Sequence, residues 1–310
     1  MIEAFKDELD DFGPRIWAIG GGKGGVGKSV IAVNLGVALA KGRQRVIVVD
    51  ADLGGANLHT LLGVADPELT LSDYLARRVP SLDDIVLPTS VPRLQLVSGA
   101  RALFEAANPK HGQKQKILRH IRQLDADHVI LDLGAGTSFN VLDFFLVSHR
   151  GILVVVPEPT SVENAYHFIK AAFFRSLKQT EPRDRVAAAL DRLAAGGALK
   201  GARSARGLVS EVMAIDPDAG AAVLATAATF GASVVVNRTV SASHERLGAE
   251  MSMACREVYG VGIEALGSLP MDPMVPRSVL DREPVTAVHP DCPFSKAIRR
   301  LARNLTGDER

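Results

Sequence analysis

Short runs of apolar residues alternate with longer amphipathic stretches along most of this chain. Val46–Val49, Ile152–Val156 and Val234–Val236 contain no polar residue, as expected of strands that are buried on both faces. The stretch Lys28–Ala40, which follows another apolar run, has the spacing of a helix. Because strands and helices that alternate in this way form a parallel sheet covered by helices, the pattern predicts the α/β fold class, with a mainly parallel sheet and helices on both faces.

Polar residues stand at the C-terminal ends of several predicted strands. The strands are predicted at Ile16–Gly20, Arg45–Asp50, Leu94–Ser98, His128–Leu133, Gly151–Val156, Ser233–Asn237 and Ala265–Leu269. The polar residues that end or follow them include Asp50, Asp132, Pro157-Glu158 and Asn237-Arg238. Since ligands of open α/β sheets bind beyond the carboxyl ends of the strands, we expect these ends to converge on one site.

One segment interrupts the alternation, between the helix near Ser161–Leu177 and the strand at Ser233. It is roughly 55 residues long, whereas a usual connection from helix to strand has about 2–6. The segment is rich in alanine and predicts helices at about 183–195, 206–214 and 217–229. We therefore expect a helical insertion at about 178–231 within a single domain.

Two interpretations of this insertion stay open. As a surface element it would carry partner specificity, because its basic residues suit an acidic partner or nucleic acid. Those residues are Arg183, Arg185, Arg192, Lys200, Arg203 and Arg206. As a helical layer it would instead thicken one face of the sheet.

Composition narrows the class of protein. The chain has 310 residues, 47% of them hydrophobic, and its 36 Lys and Arg against 35 Asp and Glu give a net charge of +1, so no global field points to nucleic acid or membrane. Cys255 and Cys292 are far apart, which suits a reducing compartment and argues against a disulfide framework, an Fe–S cluster or a zinc site. No apolar run approaches 18 residues. We expect a soluble cytoplasmic protein with an acidic leader at 1–14, one domain at 15–305 and a tail at 306–310.

A glycine-rich stretch carries the most specific chemistry. Gly22–Ser29 matches the phosphate-loop pattern G-x-x-x-x-G-K-[ST] and stands between a predicted strand and a predicted helix, which is the context that the motif requires. Its glycines let successive N–H groups face an anion, Lys28 reaches the terminal phosphates, and the Ser29 hydroxyl can bind Mg²⁺. The expected nucleotide-binding residues here are Gly22, Lys23, Gly24, Gly25, Val26, Gly27, Lys28, Ser29 and Val30.

Carboxylates follow two of the apolar strands. Asp50 ends the second predicted strand and Asp52 follows it closely. Phosphoryl transfer to water needs groups that position the water and hold a metal, and these two carboxylates are candidates for that role. Asp132 ends an apolar strand of Walker B form and would hold Mg²⁺, while Gly134 and Gly136 would let the next loop move with the γ-phosphate.

These motifs together resemble the MinD/ParA family of P-loop ATPases, which has a deviant Walker A motif and belongs to the SIMIBI class. Lys23 corresponds to the signature lysine of that family, Asp50-Ala-Asp52 to its Walker A′ pair, and Asp132–Gly136 to its Walker B and switch II. Val235–Arg238 resembles the strand whose Asn contacts adenine, which adds Asn237 and Arg238 to the nucleotide-binding set. Gly267–Val279 resembles the loop that closes on the base, which adds Pro270 and Asp272.

The resemblance covers about 15–305 apart from the insertion, and Asp52–His59 and Leu269–Pro276 look most like the FlhG/FleN branch of flagellar-number regulators. It implies a slow, partner-stimulated Mg-ATPase that forms a homodimer with ATP and positions or counts a cellular machine or cargo. Lys23 would cross to the phosphates bound by the other subunit, and Asp52 would position the attacking water. The catalytic residues would be Asp52, Lys23 and Lys28, and the Mg²⁺ would be held by Ser29, Asp132 and Asp52.

Other functions of the same fold stay open. Asn237-Arg-Thr-Val lacks the [NT]-K-x-D element of GTPases, so ATP is favoured. An ATP-dependent amide ligase or small-molecule kinase, and an ATP-binding scaffold with negligible hydrolysis, are the alternatives. The last helix carries an apolar stripe beside basic residues, which suits packing on the sheet better than a membrane surface. A protein activator is expected, and a membrane or nucleic-acid surface, with a peripheral position at a membrane or cell pole, is left open.

Overall fold

The computed structural model describes residues 13–52, 55–65, 67–99, 111–195 and 205–307. Within these ranges the strands are β1 (Arg15–Gly21), β2 (Val46–Ala51), β3 (Val86–Pro88), β4 (Leu94–Val97), β5 (His128–Ala135), β6 (Arg150–Val155), β7 (Gly231–Thr239) and β8 (Gly262–Pro270).

The α-helices of the same ranges alternate with these strands over most of the chain. They are α1 (Lys28–Lys41), α2 (Leu58–Leu61), α3 (Leu71–Leu75), α4 (His111–Ile121), α5 (Phe139–Val147), α6 (Pro159–Leu177), α7 (Arg183–Ala195), α8 (Ala205–Ile215), α9 (Pro217–Thr229), α10 (Ala242–Ala254), α11 (Met274–Asp281), α12 (Val285–Val288) and α13 (Pro293–Thr306). One turn of π-helix, Cys255–Tyr259, continues α10.

The strands form one sheet in the order β3-β4-β2-β5-β1-β6-β7-β8, and every neighbouring pair is parallel except β3 with β4. The predicted fold class is therefore confirmed, and each of the predicted strands is present. The edge strand β3 was not predicted. It is only three residues long and ends in Pro88. Proline has no backbone N–H, and an edge strand tolerates this because it does not need every N–H for pairing with a neighbour.

Each central strand sends alternate side chains into two hydrophobic cores. Along β1, Ile16 and Ala18 belong to one core, whereas Trp17 and Ile19 belong to the other. The first core is closed by helices that include α4 to α9, and the second by α1 and α13. Burial on both faces explains why these strands read as continuous apolar runs.

The helices predicted in the insertion are present, within one residue of the predicted bounds. Their apolar sides are buried in the first core, through residues such as Val186, Leu190, Val212 and Val223. Thr180, just beyond the end of α6, shares a hydrogen bond of 2.8 Å with Thr226 of α9. This packing, which includes contacts of α9 with α6, favours the interpretation of the insertion as a helical layer that thickens one face of the sheet.

Part of the positive charge of the insertion is paired within it. Arg185 donates to Asp216 at 2.7 Å and to Asp218 at 2.6 Å, on the turn that starts α9. Arg183 lies 3.6 Å from Glu181. The predicted basic residues Lys200 and Arg203 lie outside the described residues. Pairing of this kind weakens the field that an acidic partner would meet.

The last helix packs on the sheet, as expected from its pattern. Phe294, Ile298, Leu301 and Leu305 are all buried in the second core. Among the residues that the structure describes, no helix combines the length and the apolar character that crossing a bilayer requires. The predicted leader, up to residue 12, and residues 308–310 of the predicted tail lie outside that description.

The insertion helices should contribute to folding stability. We expect Leu190→Ala, at a side chain that is 3% exposed in α7, to lower the free energy of unfolding by about 2–5 kcal/mol, because it removes buried apolar contacts and leaves a cavity. The matched control is Leu224→Ala in α9, where the side chain is 51% exposed, and we expect a change within about 0.5 kcal/mol. Urea unfolding followed by circular dichroism measures both. Equal, small effects would show that the insertion packs only loosely on the sheet.

Candidate functional site

The phosphate loop lies at the centre of the carboxyl edge of the sheet. It joins the end of β1 to the first residue of α1, and β1 itself is flanked by β5 and β6. Gly25 and Gly27 have positive φ angles of 78° and 97°, which only glycine adopts readily. A β-carbon on Gly24 or Gly25 would meet no atom within 4 Å, so this part of the loop borders open space. Lys28 is only 9% exposed at the start of α1, whose N-terminus attracts anions.

Two neighbouring elements hold the loop in place. Its first half rests on the first turns of α6, where a β-carbon on Gly22 would collide with the backbone of Asn164. Its second half is held by Asn237 at the end of β7, because the Asn237 Nδ2 donates to the carbonyl of Val26 at 2.8 Å. The structure thus gives Asn237 a contact with the loop, and its expected contact with adenine stays a prediction.

Asp50 and Asp132 stand side by side at this edge, because β2 and β5 pair them directly in register. Each is only 1% exposed. Burial, and next the charge of Asp50, raise the pKa of Asp132 to about 8. Burial also raises the pKa of Asp50 to about 6, although the N–H groups of Leu58, Asn57 and Asp52 partly oppose the shift. Two carboxylates of this kind favour a cation between or beside them.

The surroundings of Asp132 fit a magnesium ion. The Ser29 hydroxyl hydrogen-bonds to Asp132, and the positive charge of Lys28 acts on it as well. One oxygen of Asp132, Oδ1, is buried without a hydrogen-bond partner in the described part of the chain. Across those residues no group of three or more His, Cys, Asp or Glu side chains could hold a metal by itself. Mg²⁺ commonly binds through one or two carboxylates plus phosphates and water, so a hydroxyl and a carboxylate beside a phosphate loop suffice.

Asp50 organises the segment that carries Asp52. Its Oδ2 accepts from the N–H groups of Asn57 at 2.8 Å and Leu58 at 3.0 Å, and its Oδ1 accepts from the N–H of Asp52 at 3.2 Å. These bonds fold the chain after β2 back over the end of the strand. Asp50 is therefore a positioning residue for this segment, a role that its place in the sequence did not reveal.

Asp52 lies over the C-terminal end of β5. A β-carbon on Gly134, in that strand, would lie 3.2 Å from the Asp52 Oδ1, so the carboxylate packs closely against this glycine. Two residues later, the N–H of Gly136 donates to the carbonyl of Gly21 at 3.0 Å. The three predicted segments, namely the phosphate loop, the Asp50–Asp52 turn and the Asp132–Gly136 segment, therefore lie next to one another.

Lys23 projects from the loop to the first turn of α6. Its Nζ lies 3.4 Å from Glu158 Oε2 and 3.4 Å from Thr160 Oγ1. The sequence placed Glu158 at this edge of the sheet, but it gave no sign that Lys23 would be its partner.

The remaining predicted nucleotide-binding residues lie at the ends of β7 and β8 and on α1. Pro270, the last residue of β8, pairs with Thr239 of β7, and Arg238 is exposed with a φ of 59°. Val30 lies in the first turn of α1. Their contacts with a nucleotide stay predictions.

Asp272 has a structural role in the described chain. Its Oδ1 accepts from the N–H of Met274 at 2.9 Å and its Oδ2 from the N–H of Phe294 at 3.1 Å. Burial alone would raise the pKa of Asp272, but these hydrogen bonds outweigh it and the pKa is lowered. The carboxylate therefore joins the starts of α11 and α13, and its predicted contact with nucleotide stays a prediction.

Comparison with known protein families gives a clear assignment. A family model described as the CobQ/CobB/MinD/ParA nucleotide binding domain matches residues 17–285, which is most of the chain. The chain belongs to this family. The resemblance drawn from the sequence motifs is thereby confirmed.

The curated relatives include an antiactivator and a flagellum site-determining protein. The antiactivator FleN of Pseudomonas aeruginosa is 36% identical over 157 residues, 50% of this chain and 55% of FleN. The flagellum site-determining protein YlxH of Helicobacter pylori is 32% identical over 162 residues, 49% of this chain and 52% of YlxH. The match thus spans about half the length of these relatives. An uncharacterized ATP-binding protein of Methanocaldococcus jannaschii is 28% identical over 292 residues, 94% of this chain and 87% of that protein.

Solved structures support the fold over nearly the whole chain. The septum site-determining protein MinD of Pyrococcus horikoshii, solved with Mg-ADP, has a TM-score of 0.65 and 22% identity over 96% of both chains. A ParA family ATPase of Chlorobium tepidum has a TM-score of 0.64 and 21% identity over 94% of this chain and 99% of its own. At these identities the likeness concerns the fold alone.

The buried carboxylates should make the nucleotide-free protein less stable as the pH rises. Between the unfolded pKa of 3.8 and the folded pKa of about 8, Asp132 keeps a proton in the native state that the unfolded chain releases. The free energy of unfolding therefore falls with pH across this window, by at most about 1.4 kcal/mol per pH unit for one such group.

We expect Asp132→Asn, which cannot ionise, to reduce this slope between pH 5 and 8. Urea unfolding without Mg²⁺ or nucleotide measures it, with the exposed Asp291→Asn as the control. A variant that loses as much stability over this range as the wild type would show that Asp132 is not protonated in the native state.

Proposed function

We propose that this protein is a Mg-ATP-dependent switch ATPase, which dimerises when it binds ATP and so positions or counts a cellular machine. One observation carries the proposal. The phosphate loop, the buried Asp50 and Asp132 and the half-buried Asp52 meet at the carboxyl ends of three adjacent strands. Membership of a family that includes MinD and ParA supports nucleotide binding at this edge.

The loop residues would bind the phosphates. Gly24 and Gly25 border open space just before α1, where backbone N–H groups of Gly24 to Ser29 would donate to the phosphates and the Lys28 ammonium would supply a positive charge. Ser29 and the free oxygen of Asp132 would hold Mg²⁺. The ion would neutralise charge on the phosphates. Since Asp132 must lose its proton to bind the ion, Mg²⁺ binding would strengthen as the pH rises toward 8.

Asp52 would orient the water that attacks the terminal phosphate. Its segment is fixed by three backbone hydrogen bonds to Asp50, and its carboxylate lies over Gly134. The bond from Gly136, just after β5, to Gly21 connects this segment to the residue before the phosphate loop. A change at the phosphates would therefore move the Asp132–Gly136 segment and Asp52 together, which is how hydrolysis would be transmitted to the protein surface.

Lys23 would complete the site of a second copy. It lies on the open side of the loop, 45% exposed, whereas Lys28 points inward. Phosphate binding within one subunit does not require a second lysine in the loop, so a contact across a dimer interface accounts for it.

The name of YlxH, a flagellum site-determining protein, and the resemblance to the FlhG/FleN branch support a role in placing or counting a flagellar or polar machine, in the cytoplasm or at the periphery of the membrane. A protein activator or cargo would stimulate the slow hydrolysis. We propose that this partner is a protein that recognises the ATP-bound dimer.

Nucleotide binding should depend on Lys28. We expect Lys28→Ala to weaken Mg-ATP affinity at least about tenfold, because a charged donor to the phosphates is lost. Isothermal calorimetry measures it, and Lys170→Ala on α6, an exposed lysine outside the site, is the control. Equal affinities of the two variants would remove the phosphate loop from the proposal.

Dimerisation and hydrolysis should respond in opposite ways to two further substitutions. With ATP, Lys23→Ala should stay monomeric, since the contact across the interface is missing, whereas Asp52→Ala should accumulate as a dimer that releases no phosphate. Light scattering with a phosphate-release assay measures both. Dimers of Lys23→Ala at wild-type ATP concentrations would refute the role of Lys23, and wild-type turnover in Asp52→Ala would refute that of Asp52.

ATP turnover that yields a phosphorylated or ligated product would instead favour a kinase or ligase.

A further inference from the structure

The side chain of Lys23 is held within its own subunit. Its ammonium lies 3.4 Å from both the Glu158 carboxylate and the Thr160 hydroxyl. Glu158 is the N-cap of α6 and Thr160 is in its first turn. Lys23 and Glu158 are 45% and 55% exposed, so the ion pair lies at the surface of the site.

Glu158 is available for this contact because it does not cap its own helix. It occupies the N-cap position of α6, but its side chain makes no capping hydrogen bond. Its carbonyl accepts from the N–H of Ser161 at 2.9 Å, and the Ser161 hydroxyl accepts from the N–H of Val156 at 3.1 Å. The turn is thus closed by backbone groups and Ser161, which leaves the Glu158 carboxylate to Lys23.

Only the side chain of Lys23 has to move for this contact to break. The backbone beside it is fixed, since Gly22 packs against the backbone of Asn164. Asn164 in turn donates to the carbonyl of Thr160 at 2.7 Å, which fixes the first turn of α6. Two rigid segments therefore hold the partners at a set distance, and a four-carbon side chain connects them.

We propose that Glu158 and Thr160 form a latch that retains Lys23 in the monomer and competes with the phosphates bound by a second copy of the chain. The proposal rests on the proposed function, in which Lys23 crosses the dimer interface. One ammonium cannot neutralise the Glu158 carboxylate of its own subunit and a phosphate of the other at the same time. Glu158 would thus be a positioning residue that raises the ATP concentration at which dimers form.

The size of the effect follows from the exposure of the pair. Exposed ion pairs change an equilibrium by about 1.4- to 5-fold, because water and salt screen the charges. A symmetric dimer releases two such latches, so the dimerisation constant should change by up to about 25-fold. The latch therefore sets a threshold for dimerisation and does not block it.

The test compares Glu158→Gln with Glu163→Gln, which removes the same charge from an exposed position of the same helix. Light scattering follows dimer formation as a non-hydrolysable ATP analogue is added. We expect Glu158→Gln to dimerise at a lower analogue concentration than wild type and Glu163→Gln to match wild type. A high salt concentration should shrink the difference. If Glu158→Gln dimerises less readily than wild type, Glu158 favours the dimer and the latch is refuted; an unchanged titration refutes it as well.

A second readout needs no dimer. In the nucleotide-free monomer, the rate at which an amine-reactive acetyl ester modifies Lys23 can be measured by peptide mass spectrometry. We expect Glu158→Gln to raise that rate about 1.4- to 5-fold and Glu163→Gln to leave it unchanged. Equal rates in all three proteins overturn the latch.

The two readouts separate this proposal from the proposed function. A wild type that never dimerises with ATP overturns the function and the regulatory part of the latch together. A wild type that dimerises through Lys23, while Glu158→Gln behaves like wild type in both assays, overturns the latch alone.

Discussion

The pairing of β2 with β5 sets the carboxylates of Asp50 and Asp132 side by side where almost no water reaches them, and the site depends on how that repulsion is relieved. Three backbone N–H groups donate to the Asp50 carboxylate and stabilise its charge, and these bonds fix the segment after β2. Within the described residues, the Ser29 hydroxyl and the nearby charge of Lys28 stabilise the Asp132 carboxylate, and its Oδ1 has no hydrogen-bond partner. The two carboxylates are alike in sequence and differ in function because of their hydrogen bonds.

The strand order explains why the phosphate loop keeps its shape. β1 lies between β5 and β6, with β7 next to β6, so three strand ends surround the loop. α6 supports its first half, Asn237 of β7 holds the carbonyl of Val26, and the N–H of Gly136 binds Gly21. A loop of this kind needs glycine for its positive φ angles, and neighbours from distant parts of the chain must then compensate for the flexibility that glycine brings.

The same site contains groups that are fixed and groups that can move. Asp50 and Asn237 each make a hydrogen bond of 2.8 Å to a backbone group, whereas Lys23 is exposed and its contacts with described residues are 3.4 Å long. Residues that must respond to a nucleotide or a partner belong to the weakly held part, because strongly held groups cannot change partners at a small cost in free energy. The insertion helices belong to the fixed part of the molecule, since their apolar faces are buried in the first core.

Local sequence determined the parts of this protein that depend on neighbouring residues. Apolar runs predicted the parallel strands, the spacing in 183–195 and 217–229 predicted the helices, and Gly22–Ser29 with Asp132 predicted a phosphate and metal site. The short edge strand β3 was missed, because three residues ending in proline carry too little pattern and the strand exists only by pairing with β4.

Tertiary structure alone decided which residues meet. An amphipathic helix shows that one face is buried but not what buries it, so only the packed core showed that the insertion helices pack on α6 and on one another. Asp50 and Asp132 are 82 residues apart in the sequence and are neighbours because β2 pairs with β5 in that register. Lys23 contacts Glu158 at a sequence separation of 135. Such partners are set by the strand order, which brings distant segments together, and the pattern of one segment carries no information about the side chains of another.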